Sequence, residues 1–263
     1  MRRILVAGNW KMNYSPAEAA GVAKSLAEAV TSASAEVLIC PPFLALDRVI
    51  GALAGSHIGV GAQDVFWKEK GAFTGNISAT MLASLGIRYA IVGHSETRGR
   101  FGVMEVPEST LPYFGESDET VGLKIQALLA ADIAPIFCVG ETLAEREAGT
   151  TDQVIQSQIR GSLAGIPEPS LNSLVIAYEP VWAIGTGKVC DTPEAERICA
   201  MIRGEIAKLY SEPLSLVARI LYGGSVKPDN AAELFAQPNI DGGLVGGASL
   251  KAEDFSKVIA AAG

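Results

Sequence analysis

Short, almost continuously apolar runs recur along the chain, at residues 4–8, 37–40, 58–62, 89–92, 134–139, 174–178, 219–222 and 243–245. Unbroken apolar runs of this length predict strands covered on both faces, the pattern of a parallel sheet wrapped by helices. Stretches of helical periodicity fill the intervals. Ser15-Pro16-Ala17-Glu18 reads as a capping box with proline at the first helical position, opening a helix to about residue 30. Thr192-Pro193 opens a second in the same way, to about residue 210. Residues 118–131, 151–164 and 252–262 carry the same period. Eight strand–helix alternations at this spacing predict an α/β protein, a (β/α)8 barrel formed as one domain over 1–263.

A doubly wound sheet alternates in the same rhythm, so the ends of the strands must decide. Asn9, Lys11, His94, Glu96, Glu179, Ser225, Gly246 and Gly247 all fall at or just past carboxyl ends, of strands 1, 4, 6, 7 and 8. Only a closed barrel gathers first and last strand ends at one place.

Bulk properties narrow the chemistry. Of 263 residues, 49% are hydrophobic, which supports a large core. A net charge of −8 argues against nucleic acid or an anionic membrane as partner. There is no 18-residue uncharged apolar run to suggest a membrane span, and no secretion signal after Met1-Arg2-Arg3, so a cytoplasmic location is expected. Cys40, Cys138, Cys190 and Cys199 lack paired spacing and read as reduced thiols. With His57 and His94 as the only histidines, no metal site is expected.

The segment 177–187, Ala-Tyr-Glu-Pro-Val-Trp-Ala-Ile-Gly-Thr-Gly, carries the most chemistry. Pro180 holds Glu179 extended at a rigid strand end. The apolar residues and two glycines that follow suit a flap able to exclude water. A fixed carboxylate beside a closable apolar flap suits proton abstraction next to a carbonyl. The plainer alternative is a surface glutamate before an ordinary loop.

Gly223-Gly224-Ser225 and Gly246-Gly247 offer backbone N–H groups that could cradle a phosphate after strands 7 and 8. Lys11 could supply a cation to the same mouth or be a solvated charge. His94 is the better acid–base candidate of the two histidines, His57 lying at the opposite end of its strand. Gly185-Thr-Gly-Lys188 lacks the remainder of a P-loop, and no G-x-G-x-x-G follows strand 1.

These strings together, with Gly8-Asn-Trp-Lys-Met-Asn13, Ala90-Ile-Val-Gly-His-Ser-Glu96, Tyr222-Gly-Gly-Ser-Val226 and Leu244-Val-Gly-Gly-Ala-Ser-Leu250, resemble triosephosphate isomerase over nearly the whole chain. The resemblance implies a homodimeric, cofactor-free barrel interconverting dihydroxyacetone phosphate and glyceraldehyde 3-phosphate. It implies that Glu179 is the base, and His94 an electrophile kept neutral. Lys11 is implied as the essential cation, Asn9 as its neighbouring donor and Glu96 as a supporting carboxylate. The phosphate would meet Gly185, Ser225, Gly246 and Gly247, while Ile184 and Leu244 would pack on the carboxylate. Residues 180–182 and 188–190 would be lid hinges, and 183–187 the tip.

Three departures stand out. Asn76 replaces a glutamate and Thr97 an arginine that look like ion-pair partners at the family's dimer contact. A dimer is still expected, through residues 63–76 inserted beside Lys11 of a neighbour. Residues 101–113 are extra sequence after strand 4, expected as a loop packed by its own side chains or as a contact to the partner subunit. Two rival functions are another phosphate-binding barrel enzyme, such as a sugar-phosphate isomerase or an aldolase, the latter needing a Schiff-base lysine inside a strand, and a silent binding protein that kept the barrel.

Overall fold

The computed structural model describes residues 2–104 and 106–263; residue 1 and residue 105, the latter within the expected 101–113 insertion, lie outside them. The eight strands are β1 (Leu5–Asn9), β2 (Glu36–Cys40), β3 (Ile58–Ala62), β4 (Tyr89–Val92), β5 (Ala134–Val139), β6 (Val175–Tyr178), β7 (Arg219–Tyr222) and β8 (Gly242–Val245). All pair in parallel with their neighbours, and β8 returns to β1 to close the barrel. Every strand expected from the apolar runs is present, with ends moved by a residue at most.

Closure sorts side chains by parity, since successive residues of a strand face opposite ways. Leu5, Ala7, Leu38, Cys40, Ile91, Ile136, Cys138, Val175, Ala177, Leu221 and Leu244 form the cluster that fills the barrel. Val6, Val37, Ile39, Ile176 and Ile220 pack outward, in the larger cluster shared with the helices. Leu221 is fully buried, and truncating such a leucine to alanine costs roughly 2–5 kcal/mol.

The parity carries upward to the rim. Asn9 continues the inward series Leu5, Ala7, and Glu179 continues Val175, Ala177. Both therefore belong to the barrel mouth by the same rule that buries the leucines beneath them. Neighbouring strands hold the two at the rim, with Asn9 beside Cys40, and Val139 beside Tyr178.

The expected capping box is present: Glu18 N–H donates to Ser15 Oγ, and Ser15 N–H to the Glu18 carboxylate, at the start of helix Pro16–Ala29. The helix Thr192–Leu209 differs from expectation at its start. Its cap is Asp191, which accepts from Glu194 N–H at 2.9 Å, and Thr192 is the first helical residue. Pro193 occupies the first turn either way, so the proline marked the helix but not which neighbour caps it. Short helices at Leu46–Ala52, Ala79–Ser84, Leu143–Glu147, Glu212–Val217 and Ala231–Phe235 were not expected individually. At five to seven residues they show too few turns for a period to be visible. Among the described residues, no helix is long and apolar enough to cross a membrane.

Candidate active site

A cavity of about 670 Å³ opens at the carboxyl ends of the strands. Its lining includes Asn9, Lys11, His94, Glu179, Gly185, Ser225, Leu244, Gly246 and Gly247, so residues scattered from 9 to 247 share one space. Glu96 is absent from that lining and stands behind Lys11, its Oε1 2.5 Å from Nζ. His57 lies at the far end of the molecule, immediately before β3.

Lys11 is held in an unusual backbone conformation, with φ of 52°. For a residue with a side chain this region costs on the order of 1–3 kcal/mol and needs surrounding structure to enforce it. Two hydrogen bonds do so. Lys11 N–H donates to Asn9 Oδ1 at 3.0 Å, and Gln63 Nε2 donates to Lys11 O at 2.8 Å. Gln63 thus anchors the Lys11 of its own chain and also donates to Cys40 O, at 2.8 Å. Asn9, its oxygen used by the backbone, keeps its NH2 group for the cavity.

His94 follows Gly93, whose φ of +69° turns the chain sharply off β4. Arg98 steadies that turn by donating from Nε to Gly93 O at 2.8 Å while pairing with Asp118 at 2.7 Å. His94 is 6% exposed, and its imidazole is bonded on both sides. Glu96 N–H donates to Nδ1 at 3.2 Å, and Nε2 lies 2.8 Å from Glu179 Oε1. With Nδ1 placed to accept from Glu96 N–H and Nε2 placed to donate to Glu179, the arrangement is one that a neutral imidazole satisfies.

Glu179 is 2% exposed. Besides His94, it accepts Ser95 N–H at 2.9 Å and Ser95 Oγ–H at 3.4 Å. Burial pushes this carboxyl up, but His94, the Ser95 N–H and the Lys11 charge outweigh burial and hold it below the usual carboxylate value. Burial likewise works against an imidazolium, yet the facing Glu179 carboxylate lifts His94 above its usual value. The Glu96 N–H aimed at Nδ1 opposes that lift, because it needs the lone pair. Most of the lift therefore depends on Glu179 staying docked on His94, with the Glu96 charge adding to it.

The lid rises directly from Glu179. Val181–Ala183 form a helical turn whose Trp182 Nε1 donates to Glu141 at 2.7 Å, and Val181 N–H donates to Glu141 O at 3.1 Å. Glu141 is fully buried, also accepts Tyr178 OH at 3.2 Å, and has its carboxyl pushed up by burial. Arg146 stacks over the Trp182 ring at 4.3 Å. Beyond this turn the tip is in solvent, with Gly185, Gly187, Lys188 and Val189 exposed. Gly185 and Gly187 have φ of +71° and +78°, which explains why the lid carries glycine at both positions. The lid stands open. Ile184 and Leu244 both line the cavity, Leu244 buried beneath the rim and Ile184 half-buried on the lid.

On the opposite wall Gly246 and Gly247 open a helical turn, Gly247–Leu250, and the Lys11 side chain passes alongside Gly246. Gly223 and Gly224 lie against Tyr178 O and the Tyr222 hydroxyl, where a Cβ would collide. The Gly223 N–H donates to Tyr178 O at 2.7 Å; the remaining N–H groups of these turns, with an ammonium alongside, form the kind of arrangement that can receive an anion. Glu141 and Arg146 had no signal in the sequence, and Ser95, though inside the Ala90–Glu96 string, had none for its role, because each acts by touching another site residue. All four cysteines are buried free thiols, and among the described residues no cluster of His, Cys, Asp and Glu could hold a metal.

Eight parallel strands closed on themselves, with acid–base groups gathered at their carboxyl-terminal rim, define a (β/α)8-barrel enzyme. The family model described as triosephosphate isomerase matches residues 4–262, and the chain belongs to that family. Among its relatives, a triosephosphate isomerase of Moorella thermoacetica is 49% identical, covering 98% of each chain. One of Rhodopirellula baltica is 49% identical over 99% of this chain and 98% of its own. One of Chlorobium phaeovibrioides is 47% identical over the full length of both.

Proposed function

We propose that this chain interconverts dihydroxyacetone phosphate and glyceraldehyde 3-phosphate through an enediol, with Glu179 as the base. What carries the reading is the meeting of Glu179, His94 and Lys11 in one cavity, beside two glycine turns that present N–H groups. The phosphate settles against Gly185, Ser225, Gly246 and Gly247, with Lys11 supplying positive charge. Glu179 leaves Ser95 and His94 to remove the proton next to the substrate carbonyl. That frees the Nε2–H of neutral His94 to donate to the carbonyl oxygen. A weakly acidic imidazole is well matched to an enediol and can pass the proton between its two oxygens. Asn9 donates to the same oxygens, and Glu96 holds the Lys11 ammonium in place.

The open lid closes before that proton is removed. Closing excludes water from an intermediate that would otherwise lose phosphate, and it desolvates Glu179 against Ile184 and Leu244, strengthening the base. The reaction is an internal proton transfer and calls on no cofactor. Lys11 lies past β1 and is tied to Glu96, which does not suit the desolvated Schiff-base lysine of an aldolase.

The working form is a homodimer, in one continuous (β/α)8 domain spanning the chain. Met12 and Leu44 leave 96% and 87% of their surfaces in water beside the Lys11 and β2 loops, as a face for a second copy would. Asn76 is exposed and Thr97 is turned inward to His94 O and Glu116, so neither presents an unpaired charge to a partner. A coupled assay with glyceraldehyde 3-phosphate tests the reading. Wild type turns over, and Glu179→Asp, which withdraws the carboxylate by one methylene, loses most of kcat. Equal turnover by the two proteins would refute the assignment of the base.

A further inference from the structure

The extra segment after β4 is rooted where the lid is rooted. Arg100, just before it, donates to Gly140 O at 3.1 Å and pairs with the Glu145 carboxylate. Glu145 in turn closes the capping box of helix Leu143–Glu147 with Thr142. The lid hangs from the same stretch, through Glu179 N–H to Val139 O at 2.8 Å and Val181 N–H to Glu141 O at 3.1 Å. At its far end the segment is pinned by Phe101 against Phe114, edge to face at 5.3 Å, and by a helical turn over Glu108–Tyr113. Just past it Glu116 is held by Thr97 and Lys124, so both ends are fixed near the barrel rim, whereas Gly185, Gly187, Lys188 and Val189 of the lid stand in solvent.

Between these anchors Gly102 meets the lid. A methyl group on Gly102 would overlap the carbonyl oxygens of both Val181 and Ile184 and would reach the Thr186 methyl at 3.1 Å. The two neighbours are backbone, which cannot step aside as a flexible side chain can. Gly102 is not among the glycines with positive φ, so an alanine there is not excluded by backbone conformation. The contact itself is what requires glycine.

We propose that the segment starting at Phe101 is a fixed rest for the open lid, and that Gly102 is the residue that sets how readily the lid leaves it. It builds on the isomerase reading, since it concerns closure over a bound phosphate group. A side chain at 102 pushes the lid off the rest, disfavours the open form and shifts the population toward the closed one. A ligand that binds only under a closed lid then binds more tightly, in proportion to that shift.

The test is amide hydrogen exchange of lid residues 184–189 during titration with inorganic phosphate, on wild type, Gly102→Ala and Tyr113→Ala. Tyr113 is 86% exposed in the same segment, so its variant controls for general loosening. For Gly102→Ala, the phosphate concentration giving half-maximal protection falls by about threefold or more, while Tyr113→Ala matches wild type. In the same protein kcat/KM is kept and kcat falls if lid opening limits release. A midpoint for Gly102→Ala equal to or above wild type overturns the proposal, as does an equal shift in Tyr113→Ala. Absent turnover of glyceraldehyde 3-phosphate by wild type, with lid protection by phosphate intact, would instead overturn the isomerase reading alone.

Discussion

Nε2 of His94 lies 2.8 Å from Oε1 of Glu179, so the proposed electrophile and the proposed base are engaged with each other in the open site. Each satisfies the other's buried polar atoms, which would be costly to leave unpaired. Substrate must replace that contact on both sides. The carboxylate turns to a C–H, and the imidazole N–H turns to an oxygen.

This pairing sets a pH window for stability. Glu179 is held below its ordinary 4.5, so its contribution is present above that value and is lost as pH falls through the lowered one. His94 is held above its ordinary 6.5, so its contribution is complete below 6.5 and is lost as pH rises through the raised one. Urea unfolding of wild type and Glu179→Gln across pH should show their gap widest between about 4.5 and 6.5. A gap independent of pH would show that the two groups do not titrate together.

Because the lift on His94 comes mainly from Glu179, with Glu96 adding to it, it should shrink when the Glu179 carboxylate leaves. Following the imidazole by NMR, the His94 pKa falls when inorganic phosphate closes the lid. An unchanged value would mean that Glu179 stays on His94 in the closed form.

Much of this was legible in the chain. The apolar runs marked all eight strands, and parity along β1 and β6 places Asn9 and Glu179 inward without any motif. What stayed hidden acts through contact. Ser95 matters because its N–H meets a carboxylate 84 positions away, and Glu141 because Tyr178 and Trp182 fold over it. The 101–113 segment could be seen as extra. Its resting place against Val181 and Ile184 could not, because nothing in its composition points to a lid.

Lys11 is expected to act by charge at a site held in place by Asn9, Gln63 and Glu96. Lys11→Met should weaken phosphate binding by about tenfold or more and flatten its salt dependence. Isothermal titration at two ionic strengths checks this. Binding that remains equally salt-sensitive would move the decisive cation elsewhere in the cavity.

Ile184 and Leu244 are expected to act on the basicity of Glu179 rather than on affinity. Replacing either by alanine should lower kcat far more than it raises KM. Steady-state kinetics showing a raised KM at unchanged kcat would make them binding residues only.

The pairing of two copies is expected to survive the replacement of the ion pair by Asn76 and Thr97. Sedimentation at low concentration should give a dimer. Fully active monomers would remove the neighbour from the account of the Lys11 loop.

The most direct measurement is kcat for glyceraldehyde 3-phosphate in Glu179→Gln, taken alongside its affinity for inorganic phosphate. The substitution keeps the shape and the Ser95 contact but removes the base. The account predicts a loss of about 10²–10⁴-fold or more in kcat with phosphate affinity nearly unchanged. Turnover within a few-fold of wild type would contradict it.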